Sequence, residues 1–85
     1  MQQYLHVTIL SPRQTLFEGQ ALALSSKNSS GKFDILPQHA NFITLIENQP
    51  ITVFLPEKKS LNFEFTVAII YTAQNLVKIY TDLTL

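Results

Sequence analysis

Side chains that could act as nucleophile, base and acid are all present in this 85-residue sequence. The set comprises Ser11, Ser30, His6, His39, Asp34 and Asp82. No Gly-x-Ser-x-Gly turn presents either serine as an activated nucleophile. His39 and Asp34 are close in sequence, but Pro37 lies between them and no serine stands in a fixed relation to both. Because almost any chain of this size contains such a set, the sequence predicts no catalytic residues.

The sequence also gives little indication of a metal or cofactor site. The chain has two histidines, far apart, and no cysteine, so a ligand cluster at a metal-binding spacing is missing. With only Gly19 and Gly31, neither a P-loop nor a dinucleotide-binding loop can be built. His39, close to Pro37, is interpreted as a hydrogen-bonded turn residue or a contact residue. We therefore expect no metal and no cofactor.

Composition narrows the class of protein further. Hydrophobic residues make up 46% of the chain, charged residues 14%, and the formal net charge is zero. Residues 1–85 are predicted to form one domain, with no electrostatic attraction for nucleic acid. The apolar stretch from Phe65 to Val77 is too short to span a bilayer, so any membrane association would be indirect. The low charge suggests that a partner covers part of the surface, although small β domains are often charge-poor.

The elements that position these residues are predicted to be strands. Turn signals recur at short intervals, and the segments between them alternate, as where Leu5, Val7 and Ile9 share one face. The pattern indicates an all-β sandwich or barrel. Strands are predicted at residues 4–10, 14–18, 20–26, 31–35, 41–46, 51–55, 60–66, 67–73 and 76–82.

Two segments depart from this alternation. The runs 42–46 and 67–71 are apolar on both faces. Periodicity alone also permits a short buried helix, but β-branched residues and brevity favour strands. Each run is either a core strand or a strand with one face against a partner subunit.

The segment from Gly31 to Ala40 is the most informative part of the chain. It joins two apolar strands through a loop without catalytic groups. Pro37 fixes its own φ and restricts Leu36 to extended conformations, so the loop keeps its shape. A stiff loop loses little conformational entropy when a partner binds, which suits a contact surface.

Four segments together resemble a known family. They are Tyr4 to Pro12, Leu16 to Gly19, Gly31-x-Phe33-x-Ile35-Leu36-Pro37-x-His39-Ala40, and Asn75 to Asp82. In this order they resemble the N-terminal β-sandwich of the ATP synthase epsilon subunit, over about residues 4 to 82. The resemblance implies a small β-sandwich of roughly nine to ten short, mostly antiparallel strands.

The resemblance also implies a function, partners and a location. It implies a non-catalytic central-stalk subunit of an F-type ATP synthase that couples c-ring rotation to the gamma subunit during ion-driven ATP synthesis. The complex would hold it, peripherally, at the cytoplasmic face of a bacterial plasma membrane. The implied c-ring contacts are Ser29, Ser30, Gly31 and Lys32. The implied gamma contacts are His39 and Thr44.

Several positions depart from the family pattern. Relatives usually carry an acidic residue where Lys32 stands, glycine at Asp34 and Gln38, and a Gly-Gly pair at Val67-Ala68. Lys32 inverts the charge offered to the c-ring, so its partner there is expected to be acidic or neutral.

Length is the largest departure. Relatives continue into two C-terminal helices, whereas this sequence ends at Leu85, either because the protein is short or because the sequence is a piece of a longer one. The surface that those helices cover would then expose apolar residues, and the isolated domain is a candidate for self-association. The alternative function is a β-sandwich interaction adaptor outside an ATP synthase. A small-ligand domain with a deep pocket is a further alternative.

Overall fold

The computed structural model describes residues 3–82, which form nine strands joined by short turns. The strands are β1 (Leu5–Leu10), β2 (Thr15–Ala21), β3 (Ala23–Asn28), β4 (Gly31–Ile35), β5 (Phe42–Glu47), β6 (Pro50–Leu55), β7 (Lys59–Glu64), β8 (Val67–Ala73) and β9 (Leu76–Thr81). Each predicted strand is present: β4 and β8 have the predicted bounds, and in the others at least one end differs by one to three residues. Both runs that are apolar on two faces are strands, β5 and β8. Residues 3–82 contain no helix long and apolar enough to cross a membrane.

The strands form two sheets that pack face to face as a sandwich. The five-stranded sheet has the order β2-β1-β9-β8-β5, and the four-stranded sheet has the order β4-β3-β6-β7. Strand β1 pairs in parallel with β9, and every other pairing is antiparallel. The first and last strands are therefore neighbours in the middle of one sheet. The sandwich prediction is confirmed, and the barrel alternative is wrong.

The core lies between the sheets and follows from the period-two alternation. In β1 the side chains of Leu5, Val7 and Ile9 are fully buried. Aliphatic residues from the other strands meet them, and burying each large aliphatic side chain contributes about 1.5–3 kcal/mol to stability. These partners are Ala21, Leu24, Ile35, Ile46, Ile51, Val53, Ala68, Ile70, Val77 and Ile79.

Aromatic pairs close the two long edges of the sandwich. Phe33 of β4 and Phe42 of β5 have ring centroids 5.3 Å apart, and Phe17 of β2 and Phe63 of β7 have centroids 6.3 Å apart. These four strands are the edge strands of the two sheets. Each pair thus joins an edge of one sheet to an edge of the other, where large rings bury apolar area that smaller side chains would leave open.

Two hairpin turns adopt left-handed backbone conformations without glycine. The β8–β9 turn has φ of 50° at Gln74 and 66° at Asn75, and the β6–β7 turn has φ of 67° at Glu57 and 61° at Lys58. Positive φ at consecutive residues matches the right-handed twist of the flanking strands. Non-glycine residues hold this conformation at a cost of roughly 1–2 kcal/mol each.

The residues that replace the family's Gly-Gly pair lie in regular strand. Ala68 is fully buried and pairs with Ile46 on one side and Thr81 on the other. The carbonyl of Val67 accepts a hydrogen bond of 3.0 Å from the backbone N–H of Asp82. Neither residue has a positive φ, so this backbone needs no glycine here.

Candidate docking surfaces

The predicted c-ring contacts lie in the turn between β3 and β4 and in the first two residues of β4. The Asn28 side-chain oxygen accepts a hydrogen bond of 2.9 Å from the backbone N–H of Ser30, which fixes the turn locally. Gly31 has φ of 123°, a conformation that side chains disfavour, although a Cβ there would meet no atom within 4 Å. Ser29, Ser30 and Lys32 are exposed. The turn is therefore an ordered, exposed surface feature.

Thr44 lies beside this turn. The Asn28 side-chain nitrogen donates a hydrogen bond of 2.9 Å to the Thr44 hydroxyl, joining β3 to β5. From the sequence, Thr44 was predicted to contact the gamma subunit and the β3–β4 turn to contact the c-ring. In the structure the two lie next to each other. Thr44 is half-buried, whereas its neighbour Ile43 is 66% exposed. Contact with a partner at this position therefore falls mainly on Ile43.

His39 lies in the loop between β4 and β5, which we name the 36–41 loop. Its ring packs against Phe42 with centroids 5.5 Å apart, and its Nδ1 donates a hydrogen bond of 2.8 Å to the carbonyl of Ala40. The backbone N–H of His39 donates to the carbonyl of Leu36 at 3.1 Å. His39 is half-buried, so its ring supports the loop and also reaches the surface.

Lys32 and His39 lie towards opposite ends of β4, whereas Thr44 lies beside the β3–β4 turn. Lys32 is the second residue of this strand, and the 36–41 loop follows its last residue, Ile35. With a rise of about 3.3 Å per residue, this strand separates Lys32 from the 36–41 loop.

The outer face of the five-stranded sheet carries a group of exposed apolar side chains on β5, β8 and β9, next to the exposed Lys78. Its exposed large side chains have relative exposures between 40% and 66%. They are Ile43, Leu45, Tyr71, Leu76 and Tyr80, and together we call them the apolar sheet face. Strand register places Ile43 opposite Tyr71 and Ile69 opposite Tyr80, and clustered exposed apolar side chains of this kind often mark an interaction site.

The outer face of the four-stranded sheet is mostly polar. Ser25 donates a hydrogen bond to Asp34 across β3 and β4, and Thr52 donates one to Asn62 across β6 and β7. Phe54, 40% exposed, is the apolar exception on this face. The two sides of the sandwich thus differ in polarity, and the five-stranded sheet offers the better surface for a protein partner.

The residues with catalytic types do not come together. His6 contacts Glu18 at 3.0 Å on exposed parts of β1 and β2. The Ser11 hydroxyl accepts a hydrogen bond of 3.2 Å from the backbone N–H of Gln14 within its own turn. The Asp34 carboxylate accepts a hydrogen bond from the Ser25 hydroxyl. Within residues 3–82, no three His, Cys, Asp or Glu side chains form a group able to hold a metal ion.

The apolar sheet face was not predicted from the sequence, although some of its residues belong to segments that the sequence marked as unusual. Ile43, Leu45 and Tyr71 belong to the two runs that are apolar on both faces. Those runs pair with each other as β5 and β8, so their surplus apolar residues combine on one outer surface. Leu76 and Tyr80 come from β9, whose alternation alone gave no such indication.

Comparison with known proteins agrees with the architecture. The chain resembles a protein named ATP synthase epsilon chain from Maricaulis maris, with 33% identity over 63 residues, covering 74% of this chain and 47% of the relative. An ATP synthase epsilon chain of Stenotrophomonas maltophilia is 27% identical over 74 residues, covering 87% of this chain and 53% of the relative. The chain thus spans about half the length of these relatives.

Solved structures share the fold. A chain of the Euglena gracilis mitochondrial ATP synthase, in a structure of OSCP, F1 and the c-ring, superposes with a TM-score of 0.85 at 12% identity, covering 92% of this chain and 50% of that one. A chain from the central stalk and c-ring of the Tetrahymena thermophila mitochondrial ATP synthase gives 0.78 at 15% identity, covering 94% and 64%.

A family model decides the relationship. The model for the β-sandwich domain of the ATP synthase delta/epsilon chain matches residues 4–84, almost the whole sequence. This match spans the segments on which the resemblance rested. The chain belongs to the family of ATP synthase delta/epsilon chain β-sandwich domains.

Proposed function

We propose that this chain is a non-catalytic central-stalk subunit of an F-type ATP synthase. In this role it couples rotation of the c-ring to the gamma subunit during ion-driven ATP synthesis. The observation that carries the proposal is the apolar sheet face on a domain of this family. Such a face, opposite a polar one, is suited to lasting contact with another protein.

Mechanical coupling requires stiffness more than chemistry. Two sheets share one aliphatic core, and aromatic pairs join their edges. Close-packed interiors of this kind have low compressibility and transmit strain. A force applied at one end of the sandwich would therefore reach the other end with little deformation.

The proposed contacts use both ends of β4. Ser29, Ser30, Gly31 and Lys32 would meet the c-ring. His39, near the other end of β4, would meet the gamma subunit. Thr44, beside the β3–β4 turn, would also meet it, and its exposed neighbour Ile43 would add apolar area. Binding of the domain to both partners would hold it peripherally at the cytoplasmic face of a bacterial plasma membrane.

Co-purification tests the proposal directly. The tagged chain is mixed with the gamma subunit and with detergent-solubilised c-ring from the same organism, and the complexes are separated by size. We expect a stable complex with gamma that also retains the c-ring. A folded chain, verified by its β-type circular dichroism, that captures neither partner would contradict the proposal and favour the adaptor alternative.

A further inference from the structure

Two lysines face each other on the outer side of the four-stranded sheet. Strand register pairs Lys27 of β3 directly with Lys32 of β4, and both are exposed. Directly opposed residues have Cβ atoms about 4.5–5.5 Å apart, and like charges in this arrangement destabilise a sheet. The pair is therefore unfavourable in the isolated domain.

Neither lysine forms an ion pair within residues 3–82. Among residues 3–82, the only contact between oppositely charged groups within 4 Å joins His6 and Glu18, on the other sheet. Asp34 is the nearest acidic residue along β4, and its carboxylate accepts a hydrogen bond from Ser25. Both ammonium groups remain open to a binding partner beside the exposed turn at Ser29 and Ser30.

We propose that the Lys27–Lys32 pair binds carboxylates on an acidic surface of a partner protein. The identity of the partner rests on the proposed function, which makes it the loop surface of the c-ring. A carboxylate placed between the ammonium groups removes their mutual repulsion as well as adding its own attraction. Contacts of this kind govern association rate and specificity more than total affinity.

A protein partner fits this surface better than an anionic bilayer. Asp34 and Glu64 lie on the same face, Glu64 opposite Pro50 at the far edge strand. A continuous anionic membrane would repel both carboxylates, whereas a localised acidic patch meets only the lysines. The attraction of two lysines to anionic lipid is also weak.

The central test is the variant K32E, which places a carboxylate opposite Lys27. A cross-strand pair of opposite charges replaces the repulsion, so the midpoint of thermal unfolding should rise by ~1–5 °C. The same change should weaken c-ring binding to the gamma-bound chain by about tenfold at low salt. A purely structural role for Lys32 would not raise stability and lower binding together.

A second variant and a matched control distinguish an effect of the lysine charges on binding from an effect on folding. K27Q/K32Q should also weaken c-ring binding about tenfold, and added salt should reduce the difference from the original chain. K58Q/K59Q removes the same charge at the β6–β7 turn, at the opposite end of the sheet, and should leave binding unchanged.

Defined outcomes would overturn the inference. Unchanged c-ring binding by K27Q/K32Q would refute it and leave the central-stalk role intact. Failure of the original chain to retain the c-ring while it still binds gamma would refute both the inference and the c-ring contact of the proposed function. Lysine-dependent binding to phosphatidylglycerol vesicles without lysine-dependent c-ring binding would assign the pair to the membrane. Failure to bind gamma as well would refute the proposed function itself.

Discussion

The side-chain oxygen of Asn75 accepts a hydrogen bond from the backbone N–H of Gln38. Asn75 lies in the β8–β9 turn, and its own carbonyl accepts a second hydrogen bond, of 2.8 Å, from the backbone N–H of His6. One turn residue thus ties the 36–41 loop to the five-stranded sheet. The loop owes its position to this long-range anchor as well as to Pro37.

Removing the Asn75 carboxamide should release the 36–41 loop. Asn75→Gly deletes the acceptor and also relieves the left-handed backbone strain, as Gln74→Gly does, so Asn75→Gly should be less stable than Gln74→Gly by the ~1 kcal/mol of the lost hydrogen bond. Hydrogen exchange at the Gln38 amide should accelerate. Gln74→Gly changes the same turn without touching an anchor and serves as the control. Equal protection of the Gln38 amide in both variants would contradict the anchoring role.

Gln38 should be replaceable by glycine with a gain in stability. Its φ of 65° lies in the left-handed region, which costs residues with a side chain roughly 1–2 kcal/mol. Gln38→Gly relieves this strain, whereas Gln38→Ala retains it. We expect the glycine variant to be more stable than the alanine variant by about 1 kcal/mol in urea unfolding. A reversed order would show that the loop backbone is not strained.

Two buried threonines should respond oppositely to the same substitution. The Thr72 hydroxyl is buried and finds no hydrogen-bond partner in the part of the chain that the structure describes. Thr72→Val should therefore raise the free energy of unfolding by about 1 kcal/mol, since an unpaired polar group is replaced by a methyl group.

Thr81 is the matched control for Thr72. Its hydroxyl donates a hydrogen bond of 3.0 Å to the carbonyl of Leu10, and the residue is equally buried. Thr81→Val should lower the free energy of unfolding by ~1 kcal/mol. Chemical denaturation of both variants provides the comparison, and equal effects of the same sign would contradict it.

A charge on the apolar sheet face should weaken binding to the gamma subunit without unfolding the domain. Ile43→Glu places a carboxylate at a position that is 66% exposed, so the thermal midpoint should change little. Binding to the gamma subunit should weaken by about tenfold, or ~1.4 kcal/mol. Phe54→Glu makes the same change on the opposite sheet and should leave gamma binding unaltered. Equal losses in the two variants would argue against a specific role for this face.

Local chemistry determined the strands. Because side chains alternate across a strand, the period-two pattern predicts most of the strands, and β-branched residues and brevity predict β5 and β8. The two runs that are apolar on both faces left open whether one face meets a partner. The turns could also be predicted from the sequence. The left-handed conformations at Gln38, Gln74 and Asn75 could not, since none of these residues is glycine.

Only the tertiary structure decided which strands meet and in which register. Val7 pairs with Val77, and no local pattern relates residues so distant in sequence. The same holds for the Lys27–Lys32 pair, for Thr44 beside the β3–β4 turn and for Asn75 at the 36–41 loop. Alternation assigns a side chain to one face of a strand, whereas its neighbours on that face depend on the pairing of whole strands around a shared core. The sequence therefore determined the elements and the family pattern, and the packing of the sheets determined the contact surfaces.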